Sequence, residues 1–269
     1  MTAASPAAVR PIGFRGGLGM VRALVRRSAN EILRVPGAAI PGVLAPTIFF
    51  LGLNAAFGNL TQLSGFTTDE YQSFIIAISM LQGAGFTGAA TGVNLARDIE
   101  QGWFDRLLAS PAPRPVLLAG MVVSASLRAL IPATFLLGVG FLIGVNWPGA
   151  AGLLLALVLV MGTGAIAACW GVMIALRFRS QAAAPLMQSG MFVLVLTTTA
   201  YAPLERLQGW LAEIARINPL TQVVEAARQG FVEGAVVWSE TWPGLLALAG
   251  MLAVLGALAL RGMHHTSDH

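Results

Sequence analysis

Reactive chemistry needs nucleophiles, paired acids, metal ligands or a lysine that grips nucleotide phosphates. This 269-residue sequence offers almost none of them. All 16 cationic side chains are arginine. A P-loop reaches its phosphates through lysine, so no ordinary Walker A site is encoded. The one cysteine, Cys169, stands inside an apolar run, which excludes an intrachain disulfide and a multi-cysteine metal site. His264, His265 and His269 cluster near the end without a cysteine partner and are read as holding no metal. There is no HExxH, no nucleophile elbow and no carboxylate pair within an apolar run, so no catalytic residue is assigned. What remains is polar pattern in two connections, 96–115 and 203–241, and polar faces on apolar helices. These suit recognition and movement rather than bond making.

The elements that must carry those residues follow from composition. Hydrophobic residues make up 56% and charged residues 10%, against about 25% charged in soluble domains. So few polar groups cannot cover a soluble domain, and disorder is excluded on the same ground. The fold class expected is an all-α integral membrane protein. Six apolar stretches are near the roughly 20 residues that cross a bilayer. They fall at 37–57, 73–95, 122–144, 150–176, 183–202 and 242–261. Residues 1–16 read as a flexible cytosolic tail. In 17–35, Leu18, Val21, Val25 and Ile32 recur at helical spacing among Arg22, Arg26, Arg27 and Arg34, which predicts a basic amphipathic helix at an anionic membrane surface. The transmembrane domain is expected over 36–262 and a short cytosolic tail over 263–269. With both termini inside, arginines in the tails and connections divide 12 inside to 3 outside, with Arg128 left within the third span. That is the positive-inside pattern. It accounts for the net charge of +4 without nucleic acid.

The 96–115 connection reads ARDIEQGWFDRLLASPAPRP. Ile99, Trp103, Phe104, Leu107 and Leu108 share one helical face, and the Pro111, Pro113 and Pro115 series ends the helix. A short amphipathic helix over 97–110 is expected, its apolar face suited to a partner's groove or to lipid. In the second connection Leu204, Leu207, Leu211 and Ile214 repeat at helical spacing. Asn218 and Pro219 then form a cap and first turn for another helix. Two amphipathic helices are expected across 204–233.

Two motifs here resemble those of type-2 ATP-binding-cassette exporter membrane subunits, the class of daunorubicin-resistance, nodulation-factor and polysaccharide or teichoic-acid permeases. One is Glu100, Gly102, Asp105-Arg106-Leu107-Leu108, Ser110-Pro111 and Arg114, followed by Gly120. The other is Asn218-Pro-Leu-Thr-Gln-Val-Val-Glu-Ala-Ala-Arg228. The likeness in layout covers about residues 20–262. Trp103-Phe104 departs from it, since the family more often has a small or hydroxyl residue and then a polar one. The resemblance implies a coupling helix at 97–110 that docks on a separate ATPase subunit, with Glu100, Phe104, Asp105, Arg106 and Leu108 at that contact. It implies that ATP and Mg belong to that partner, that this chain binds no cofactor, and that two permease subunits, identical or different, work together. It implies that the 204–233 helices close the outer mouth, with Asn218, Pro219 and Glu225 as candidate gate residues.

Ser79, Gln82, Thr87, Thr91, Gln188 and Thr198 are the polar span residues that could face a pathway between two subunits, interhelical hydrogen bonds being the plainer use. Arg128 is the one ionisable residue well inside an apolar run, either functional or snorkelling to the interface. The expected function is export of an amphiphile, a drug-like compound, lipid or lipid-linked glycan, across a bacterial inner membrane. An ion-coupled transporter is a weaker fit, since none of the six stretches holds Asp, Glu or His. A non-transporting scaffold is the other alternative.

Overall fold

In the computed structural model, residues 14–34, 40–59, 70–109 and 112–265 are described, and these are helical with short connections. Helix α1 spans Phe14–Arg34, α2 Ile40–Phe57, α3 Tyr71–Glu100, α4 Trp103–Leu108 and α5 Arg114–Leu142. They are followed by α6 Gly149–Phe178, α7 Ala184–Leu196, α8 Trp210–Ile217, α9 Pro219–Glu233 and α10 Trp238–His265. Most of the expected tails, 1–13 and 266–269, lie outside the described residues, as does Ser110 with Pro111.

Helix α3 is the axis. It is buried along most of its length and packs against α2, α5, α6, α7 and α9. Small residues let two backbones touch, which is how helices associate in lipid, where no hydrophobic force draws them together. A Cβ on Gly88 would collide with the Gly164 carbonyl, and one on Gly92 with the Gly171 backbone. Two buried apolar clusters flank this waist. One holds Phe74, Ile76, Leu136, Leu159, Leu220 and Phe231; the other holds Leu95, Ile99, Phe104, Leu118, Leu176 and Met187. Helix α10, by contrast, leaves Trp242, Leu246, Val254 and Leu258 exposed, a surface suited to lipid.

Three boundaries differ from the sequence reading. Among the described residues, α3, α5, α6 and α10 are long and apolar enough to cross a membrane, while α2 and α7 are shorter. The sequence predicts six full spans; four full-length helices and two shorter ones are found. The fifth stretch, expected over 183–202, ends as a helix at Leu196. There the Thr197 hydroxyl bonds the Val193 carbonyl at 2.9 Å and the Thr198 hydroxyl bonds Val195 at 2.7 Å. Such side-chain bonds to nearby backbone compete with helix continuation.

The helix expected over 97–110 is two pieces. Helix α3 runs on to Glu100, and Gly102 at φ +68° turns the chain before α4. That left-handed turn favours glycine. Helix α1 forms, but on a shifted face. Leu18 is 63% exposed, and Leu24 lies against Gly120 of α5. The Ile32 side chain lies outside the described residues.

The glycine waist makes a direct prediction. Gly92→Leu should lower the unfolding midpoint in detergent, since overpacking costs about 1–3 kcal/mol or more when only backbone faces the new side chain. Gly250→Ala in α10, where nothing lies within 4 Å, should leave the midpoint unchanged or raise it.

Candidate functional site

The short helix α4 hangs from α3 at the end of the bundle that also carries α1. Phe104 is fully buried, in the cluster with Ile99 and Leu118, so it anchors α4 to the bundle instead of presenting a contact face. Leu108 is half-buried, and Asp105 and Arg106 are exposed. Of the residues expected at a partner contact, Glu100, Asp105 and Arg106 are exposed.

Glu100 is exposed but engaged within the chain. Its carboxylate accepts from the Ser180 hydroxyl at 2.7 Å and from the Gln181 backbone N–H at 2.8 Å. The Gln181 side-chain amide donates to it as well, while Arg97 Nε donates to the Gln181 side-chain oxygen at 3.3 Å. This clamp ties the end of α3 to the α6–α7 connection. Arg179, at φ +53°, makes the turn that brings Ser180 and Gln181 there. On the other side, Arg27 of α1 donates to both Asp98 oxygens at 3.0 and 3.1 Å, and its guanidinium lies 3.8 Å from the Trp103 ring centre. In the sequence Arg27 belongs to the basic face of the 17–35 helix, and Ser180 and Gln181 carry no assignment. Neither partner is near in sequence, so no spacing rule points to these bonds.

At the opposite end, α9 is buried on almost every side, against α3, α6 and α10. Asn218 caps it, the Leu220 N–H donating to Asn218 Oδ1 at 2.9 Å. The same side chain reaches across to α7. Its Nδ2 donates to the Leu194 carbonyl at 2.9 Å and the Thr197 carbonyl at 3.2 Å. Pro219 opens α9 and is exposed. Arg228 is 4% exposed. It donates to the carbonyls of Phe74 at 3.1 Å and Thr199 at 2.7 Å, and to Glu225 at 3.2 Å. Its guanidinium lies 3.6 Å from the Phe74 ring centre, and the Thr199 hydroxyl bonds Glu225.

A pairing of Glu225 with Arg228 follows from their three-residue spacing; its burial does not. The neighbouring Glu213–Arg216 pair has the same spacing and is exposed. Beside Arg228 a cavity of about 520 Å³ opens, lined by Glu205, Glu225, Glu233 and Glu240 among others. Burial, with Glu240 and Glu225 adding repulsion, raises the Glu233 carboxyl above the usual carboxylate range.

The polar span residues are mostly inside the chain. Ser79, Gln82, Thr91 and Thr198 are buried. Ser79 bonds the Ile75 carbonyl of its own helix at 2.9 Å. Gln82 Nε2 is buried with no hydrogen-bond partner among the described residues. Thr91 accepts from Arg128 at 2.6 Å. Only Thr87 and Gln188 are half-buried, so these two alone among the six could reach a face shared with a second subunit. Among the described residues no group of His, Cys, Asp and Glu is placed to hold a metal ion.

Breaking the Arg228 pair should cost far more than a surface ion pair. Arg228→Gln is expected to destabilise by about 2–3 kcal/mol, because the Phe74 and Thr199 carbonyls lose a buried charged donor. Asn218→Ala should cost about 1–2 kcal/mol through the lost cap, and Arg216→Gln under about 1 kcal/mol. Unfolding midpoints in detergent should rank in that order.

Residues 20–232 match the ABC-2 type transporter family. The chain is similar to the daunorubicin resistance ABC transporter permease protein DrrB1 of Streptomyces coeruleorubidus. The two are 26% identical over 248 residues, covering 90% of this chain and 85% of the relative. It is similar to the probable doxorubicin resistance ABC transporter permease protein DrrC of Mycobacterium tuberculosis, at 24% identity over 91% of this chain and 87% of the relative. It is also similar to the putative transport permease ycf38 of Pyropia yezoensis, at 25% identity over 92% and 87%. With apolar helices long enough to cross a bilayer and a family match over most of its length, this multi-pass membrane protein belongs to the ABC-2 type transporter family.

Proposed function

We propose that this chain is the membrane-spanning subunit of an exporter driven by a separate ATPase subunit, with α4 as the element that ATPase moves. One observation carries the reading. Helix α4 is a short, separately turned helix that offers Asp105 and Arg106 outward while its root is held by Phe104, Glu100 and Arg27. A helix held in this way transmits displacement to α1, α3 and the α6–α7 connection together. The lysine-free sequence supports placing ATP and Mg in the partner.

In this reading both termini and α4 lie in the cytosol of a bacterium, as the arginine distribution favours. Helices α8 and α9 lie at the outer face. Two permease subunits, with lipid around them, enclose the pathway, and Thr87 and Gln188 are its candidate wall residues. Asn218, Pro219, Glu225 and Arg228 hold the outer closure. The substrate is an amphiphile, a class to which the drugs in two relatives' names belong.

The test is a mild-detergent pull-down from the native host with mass spectrometry. A stoichiometric subunit bearing a Walker A motif is expected. Asp105→Arg and Leu108→Asp should each reduce its recovery more than tenfold while the permease keeps its elution volume. A folded preparation that brings down no ATPase would remove the engine from this reading.

A further inference from the structure

Arg128 and Arg27 border a single cleft at the root of α4, where α1, α3, α4 and α5 meet. Arg128 donates to Thr91 of α3. Arg27 comes from α1, held close to α5 by the contact of Leu24 with Gly120. The cleft holds about 70 Å³, and Asn94 and Ser124 add polar lining. By the 10–15 Å³ a water needs, that is room for about five waters, enough for a tetrahedral oxyanion. A guanidinium fork matches the oxygens of such a group in pairs. Two arginines and one acid line the cleft; Asp98 pairs with Arg27, so the lining carries a net charge of +1.

Beside the cleft, α5 turns an apolar ridge outward. Val123, Leu127, Ile131 and Phe135 recur every four residues, and each is 41–49% exposed. The ridge runs from the level of Ser124 and Arg128 toward the far end of α5. A charged pocket the size of one phosphate, with an exposed apolar ridge on the same helix α5, describes an amphiphile lying along the bilayer normal. A soluble phosphate has no use for the ridge. A zwitterionic headgroup would bring an ammonium toward a lining whose net charge is +1.

We propose that this cleft binds the phosphate of an anionic phospholipid, with its acyl chains on the Val123–Phe135 ridge. The site goes beyond the export reading and does not depend on it. The headgroup sits where α1 meets α5, at the mount of α4.

The test uses the full chain in detergent micelles and native mass spectrometry. The probes are phosphatidylglycerol and phosphatidylcholine with matched acyl chains. Phosphatidylglycerol should stay bound at collision energies that strip phosphatidylcholine. Arg27→Gln and Arg128→Gln should each cut its retention at least tenfold, whereas Arg179→Gln, an exposed arginine outside the cleft, should leave it unchanged. Arg27 is partly exposed on α1, so its variant tests the site even if Arg128→Gln misfolds. Equal loss of the two lipids, or unchanged phosphatidylglycerol retention in a folded Arg27→Gln, would overturn the site. Displacement of the lipid by submillimolar inorganic phosphate would overturn the lipid as its occupant.

Discussion

Backbone carbonyls cannot be left bare in lipid, and this constraint organises the end of the molecule where α7 stops. A helix of 13 residues rises only about 20 Å. Its last carbonyls have no helical partner, and each would be costly in hydrocarbon. The chain answers them with side chains of α9. Asn218 takes the Leu194 and Thr197 carbonyls, and Arg228 takes Thr199. Helix α9 is therefore held where it is by what α7 lacks. The same arginine bonds the Phe74 carbonyl, so the first turns of α3 belong to the same junction.

The α4 end is built on a different principle. There the bonds are between exposed or half-exposed groups, Glu100 with the 180–181 turn and Arg27 with Asp98. Exposed pairs of this kind contribute little stability each. Burial of Phe104 and Ile99 supplies the attachment, and the polar bonds set direction. One end of the bundle is locked by a buried charge, and the other is aimed by weak contacts around an apolar anchor.

Much of this could be read from residues alone. The long apolar runs fixed α3, α6 and α10 to within a few residues, because length and hydropathy suffice for a helix in lipid. Asn218-Pro219 marked the start of α9 for a local reason, the cap. The errors came where local signals were neutral. The run 183–202 is apolar throughout, so nothing in its hydropathy announces an end at Leu196; the stop depends on three threonines and on a helix distant in sequence. Gly102 is read in the sequence only as a motif residue within one helix over 97–110, and its left-handed turn divides that helix. Phe104 and Asp105 are neighbours in one connection, and only packing separates the buried anchor from the exposed acid. Arg228 and Arg216 have the same local pattern, and only tertiary structure tells the buried one from the exposed one.

The glycine contacts between α3 and α6 have a mechanical consequence. Side chains can slide past one another by changing rotamer, but touching backbones have no such slack. Near Gly92 and Gly171 the two helices can pivot and can hardly shear. With 30 residues, α3 is a rod of about 45 Å. A tilt of about 5° about that contact would displace its two ends by about 4 Å relative to each other, by the same rise per residue. The fulcrum lies nearer the α4 end, so the longer arm points at Phe74 and Arg228. A small push on the short arm arrives there enlarged.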